Sequence, residues 1–193
     1  IGINSSSITM IVFYLSELIC EQIVKLISDM NKNEMDIGSL FNEMMNIKMN
    51  VVTMNKAISF GLFIKFIDSG LSMSSLGCLL ALTLQQEDFN NLQSLYRIGG
   101  IICMISYEFF ECAIIFHSSA KLHKKCQDLN QEVETLISDK KVSPEQLNQA
   151  IIIHKVNQGI YFHAIFFDIK NDTFLTMLGQ VISYIVILIQ TEI

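Results

Sequence analysis

Four polar residues interrupt an otherwise apolar closing stretch: Thr176, Gln180, Ser183 and Gln190. Their steps of four, three and seven residues set them on one stripe of an α-helix, together with Ile187. The other faces carry Phe174, Leu175, Leu178, Val181, Ile182, Ile185, Val186, Leu188 and Ile189. Polar groups turned toward hydrocarbon are costly, so such a stripe faces water or protein. Two chemistries fit it. Around a symmetry axis it gives polar rings suited to a water-filled ion pathway, with Ile187 as a hydrophobic constriction between them. Inside one bundle the same side chains are hydrogen-bonding glue between helices.

Ionisable residues stand in other apolar stretches. Lys65 and Asp68, three apart, are spaced to pair on one helical face. Glu108 and Glu111 stand together in another stretch. Charges so placed mark a ligand cavity or cation route, or else an internal ion pair that holds a bundle together. His117, His123 and Cys126 are too loosely spaced to predict a metal site. The sequence has no glycine-rich phosphate loop, nucleophile elbow or metalloprotease helix, and no acid, base and nucleophile set emerges. The expectation is a protein that is not an enzyme and carries no cofactor.

The chain that positions these residues has 193 residues, of which 51% are hydrophobic and only 17% charged. Soluble domains carry about 25% charged residues. The mean hydropathy is +0.42, and proline occurs once. A net charge of -6 leaves no basic footprint for nucleic acid. The five cysteines (Cys20, Cys78, Cys103, Cys112 and Cys126) are odd in number and scattered, and read as small hydrophobes rather than bridges. No basic stretch precedes the first apolar run, so a signal peptide is not indicated. The chain reads as the end portion of a longer protein.

A bilayer core about 30 Å thick needs roughly 20 apolar helical residues to cross it. Four stretches qualify: about 7–27, 57–84, 99–118 and 173–193. The first is the weakest, because Glu17, Glu21 and Lys25 sit toward its end. Between them lie amphipathic segments predicted as helices over about 37–56, 119–138 and 144–168. Leu122, Cys126, Leu129, Val133 and Leu136 recur at helical spacing, so the third span continues beyond the membrane. Ser143-Pro144-Glu145-Gln146 is a helix start, with a serine cap, proline at the first position and Gln146 placed to close a capping box. The predicted fold is all-α, a single polytopic membrane bundle over 1–193 with long helical extensions on one side.

Lysine and arginine fix the orientation. The two long connections hold ten of them, while the opposite side holds only Arg97. By the positive-inside rule the long connections are cytoplasmic and the C-terminus is outside. The acceptor triplet Asn171-Asp172-Thr173 then falls on the side where glycosylation does not occur. A soluble helical bundle, the competing architecture, does not account for this asymmetry.

The closing Ser183-Tyr184, five apolar residues, then Gln190 resembles the arthropod gustatory receptor family, whose seventh span ends with Thr-Tyr, five apolar residues and Gln-Phe. Tyr184 and Gln190 match, Ser183 stands for Thr, and Thr191 stands for the final Phe. Met54-Asn55 and Phe60-Gly61 look like the elements that open that family's fifth span. The resemblance implies that the four stretches are spans four to seven of a plasma-membrane chemoreceptor. It implies a ligand-gated, non-selective cation channel used in taste, assembled as a homo- or hetero-tetramer with related subunits. The last helix then lines the pore, a role that carries to Gln190. The long helical segments pack together between subunits. A small-molecule tastant enters a pocket open to the outside within the bundle, at the depth of Tyr14, Met73, Tyr107 and Glu108. Two other classes remain open: a receptor signalling through a cytoplasmic transducer, and a structural or transport module without a pore.

Overall fold

The computed structural model describes residues 5–32, 36–86, 92–139 and 143–191. Five helices account for most of it: α1 (Ser5–Asn31), α2 (Ile37–Gln86), α3 (Leu92–Asp139), α4 (Pro144–Gln158) and α5 (Asn171–Thr191). A two-residue antiparallel pair, β1 (His163–Ala164) and β2 (Phe167–Asp168), stands between α4 and α5. The stretches 37–56 and 57–84, read separately in the sequence, are one helix of 50 residues, and α3 runs unbroken for 48.

The larger part of the core lies where α2 and α3 extend past their most apolar segments, and it continues into them at Leu62, Phe66, Ile115 and Phe116. Leu40, Met44, Ile47 and Val51 of α2 repeat at steps of four and three, as do Ile19, Ile23, Leu26 and Met30 of α1. Leu122, Cys126, Leu129 and Val133 of α3 follow the same rhythm, and Ala150, Ile153 and Val156 of α4 complete the layer. That spacing stacks one stripe per helix against its neighbours. Glu17, which weakened the first stretch as a span, accepts Lys121 of α3 at 2.6 and 2.7 Å. All five cysteines are free, and Cys20, Cys112 and Cys126 are buried as small apolar groups.

The apolar ends of α2 and α3 are different. Both helices are long and apolar enough to cross a membrane, yet only 17% and 22% of their most apolar stretch is buried. Phe60, Leu71 and Leu79 on α2, and Ile102, Met104 and Phe110 on α3, are exposed. A soluble protein rarely leaves so continuous an apolar surface open, so lipid or other protein covers it. Exposed apolar side chains also run along α1 (Met10, Tyr14, Leu18) and α5 (Leu175, Ile182, Val186). The apolar part of α5 among the described residues, Asp172–Ile187, is shorter than a full crossing.

The helix predicted over 144–168 ends early. Ser143 and Gln146 do form the reciprocal capping box, and Pro144 takes the first turn. The helix stops at Gln158, where the Gly159 N–H donates to Val156. Beyond it Ile160 and Phe162 are buried, and the backbone is extended. The cause lies far away in sequence. The buried amide of Asn55 on α2 donates to the Tyr161 carbonyl at 2.9 Å and accepts from the His163 N–H at 3.2 Å. These bonds take the backbone groups that a continuing helix would use internally. The Ile169 N–H closes the loop on the Phe162 carbonyl, and Ser119 of α3 donates to the Ile169 carbonyl.

Candidate functional site: a polar stripe and a charged cleft

The last helix leans on α2 and α3 through one face. Phe174 lies against Phe116 and Phe109 of α3, with ring centroids 4.9 and 5.4 Å away. Met177 also packs on the core. Farther along, Ile185 occupies the space over Gly77 of α2 that any side chain there would need. With about 100° per residue, these contacts share one side of α5.

Thr176, Gln180, Ser183, Ile187 and Gln190 are all exposed, on an arc of roughly 80° turned away from that side. The Thr176 hydroxyl donates back to the Asp172 carbonyl. Among the described residues no stripe side chain bonds to another helix. Tyr184 is exposed as well.

The charged residues come together at the α2–α3 contact, though not as their spacing suggested. Asp68 is exposed and plays no part in pairing Lys65. The Lys65 side chain, 1% exposed, reaches across to α3 and binds Glu108 at 3.1 Å and also Glu111. Ser69 donates to the same Glu108 oxygen at 2.7 Å, and Tyr107 donates to Glu111 at 2.7 Å. A buried ammonium needs such partners, since an isolated charge would meet a large desolvation cost. Ser69 stands in a stretch of α2 rich in small residues, with Gly70, Ser72, Ser74, Ser75 and Gly77.

A cleft of about 630 Å³ opens beside this cluster. Ser72 and Ser75 line it from α2, and Met104, Tyr107 and Glu108 line it from α3. Apolar walls with a few polar groups suit a small organic ligand. Of the four residues placed at pocket depth by resemblance, Tyr107 and Glu108 line this cleft. Met73 is buried, and Tyr14 is exposed on α1 against Phe13; neither lines it.

Of the three residues weighed for a metal, Cys126 is buried in the core and His123 is half-buried beside it. His117 is exposed. His123 stacks on Tyr161 with centroids 4.3 Å apart, and accepts or donates a 2.9 Å bond with its hydroxyl. Burial lowers the His123 pKa, and nearby Lys170 adds to the effect. Burial pushes the Cys126 thiol up to about 12. Lys170 also holds the Asp168 carboxyl below the usual carboxylate range. Among the described residues no three metal-ligating side chains converge.

Compared with known proteins, the chain matches no family model and no curated sequence. The site is therefore read from its own chemistry.

Proposed function

We propose that the chain is part of a gustatory-type chemoreceptor that is itself a ligand-gated, non-selective cation channel of the plasma membrane. The observation that supports this most is the stripe on α5. Its Gln180, Ser183 and Gln190 side chains point off the subunit with no partner within the chain among the described residues. In a bilayer such groups need water or a second protein, and a tetramer around an aqueous axis supplies both. On this reading α1, α2, α3 and α5 all cross the membrane, with the lysine-rich connections inside.

A small molecule in the α2–α3 cleft contacts Tyr107 and Glu108. It opens the channel to the extent that it binds the open arrangement more tightly than the closed one. The Ile187 ring is the hydrophobic gate, and the polar rings of Gln180 and Gln190 pass hydrated cations.

The test needs no tastant. Ile187→Ser in the full chain, expressed in a heterologous cell, should produce a standing current carried by sodium and potassium. Adding Gln190→Ala should change the relative permeability while surface expression holds. A silent Ile187→Ser channel at normal surface levels, or permeability indifferent to Gln190, counts against the pore. Currents lost in excised patches without soluble factors would favour a receptor coupled to a transducer.

A further inference from the structure

A second cavity, of about 360 Å³, lies between α2 and the segment after α4. Lys48, Val52, Lys56 and Ser59 line it from one face of α2, and Ile160 and His163 stand opposite. Neither Lys48 nor Lys56 has a carboxylate partner among the described residues. The Asp168 carboxylate, paired with His163 across the hairpin, is engaged by His163 at 2.6 Å and Lys170 at 2.9 Å. The cavity is therefore positively charged.

The surface beside it is apolar. Phe60, one turn beyond Lys56, is 65% exposed. Phe166, at the turn of the β1–β2 hairpin, is 78% exposed and meets Phe63 of α2 edge-on at 5.2 Å. An aromatic hairpin tip set against the apolar length of α2 belongs at the level of acyl chains, and Lys56 stands about 6 Å below Phe60 along the helix. Cations first and aromatics next is the order of headgroup and tails in a phospholipid.

We propose that this cavity binds an anionic phospholipid of the leaflet on the lysine-rich side. Its phosphate sits between Lys48 and Lys56, and its chains lie along Phe60 and Phe166. A free phosphate satisfies the lysines but leaves the aromatic half uncovered. The proposal rests on the reading that α2 enters the bilayer near Ala57, and is independent of channel activity.

The full chain is reconstituted into phosphatidylcholine nanodiscs doped with phosphatidylinositol 4-phosphate, and the lipids it retains are counted by native mass spectrometry. The acidic lipid should be enriched about tenfold or more over the neutral one. Lys48→Gln and Lys56→Gln should each cut that enrichment about fivefold. Lys25→Gln, exposed on α1, should leave it unchanged. Phe166→Ser should lower retention while the far-ultraviolet circular dichroism stays helical. Insertion without enrichment, or enrichment indifferent to Lys48 and Lys56, overturns the site. Full competition by soluble inositol 1,4-bisphosphate overturns the lipid in favour of a free phosphate. A chain that inserts into no bilayer overturns the membrane reading as well.

Discussion

The Lys65 ammonium and the Glu108 carboxylate meet at 3.1 Å across the α2–α3 contact, from positions 43 residues apart. Glu111 shares the same ammonium, and Ser69 and Tyr107 bond the two carboxylates. One cation thus holds two anions that would otherwise repel in a poorly hydrated place.

Removing the cation should be worse than removing either anion. Lys65→Met leaves two carboxylates facing each other, and losing one partner of a buried pair costs about 3–5 kcal/mol. Glu108→Gln keeps the Lys65–Glu111 pair and should cost less. Thermal melts of the detergent-solubilised chain, followed by circular dichroism, check the ranking. Equal melting of Lys65→Met and wild type would show that the cluster adds nothing to the fold.

Gly77 and Ile185 should behave as a coupled pair. A side chain at 77 collides with Ile185, and overpacking of this kind costs typically about 1–3 kcal/mol. Gly77→Val should therefore destabilise the chain and move α5 off α2. Ile185→Ala should restore much of the loss, because it vacates the contested space. A double-mutant cycle measures this, and additive losses would deny the contact.

Asn55→Ala should loosen the segment that follows α4. It strips partners from the Tyr161 carbonyl and the His163 N–H, and a buried unsatisfied group costs about 1–3 kcal/mol. Hydrogen exchange at the Ile169 amide, which bonds the Phe162 carbonyl, reports on this. Its exchange should quicken, with α1 amides unaffected.

Acid should weaken the fold through His123. Burial and Lys170 lower its pKa below the ordinary histidine value of about 6.5. The unfolded chain then takes up the proton first. Stability is complete above that ordinary value and declines as pH drops from it toward the lowered one. Melting temperature should fall as pH drops below about 6.5. His123→Gln should flatten part of that slope, and an unchanged slope would assign the decline to other groups.

How far the sequence reaches is clear from particular residues. The rhythm of Leu122, Cys126, Leu129 and Val133 announces the buried face of α3, because a helix repeats its own sides every three or four positions. The Ser143 cap is equally local. The break at Gly159 was hidden, since Ile160, Tyr161 and Phe162 continue an apolar run and the amide that straightens them is 106 residues earlier. Nearness in sequence points Lys65 at Asp68, whereas its partners lie on another helix. The polar stripe of α5 was visible as a stripe, but the direction it faces depends on where Phe174 and Ile185 anchor the helix.

The length of α3 has a mechanical consequence. Tyr107 in the cleft and Val133 in the bundle layer belong to one unbroken rod, about 39 Å apart along its axis. A rod without a joint transmits tilt and cannot absorb it. A displacement of its upper part has a continuous helical path to its lower part, past Phe116, where α5 is seated.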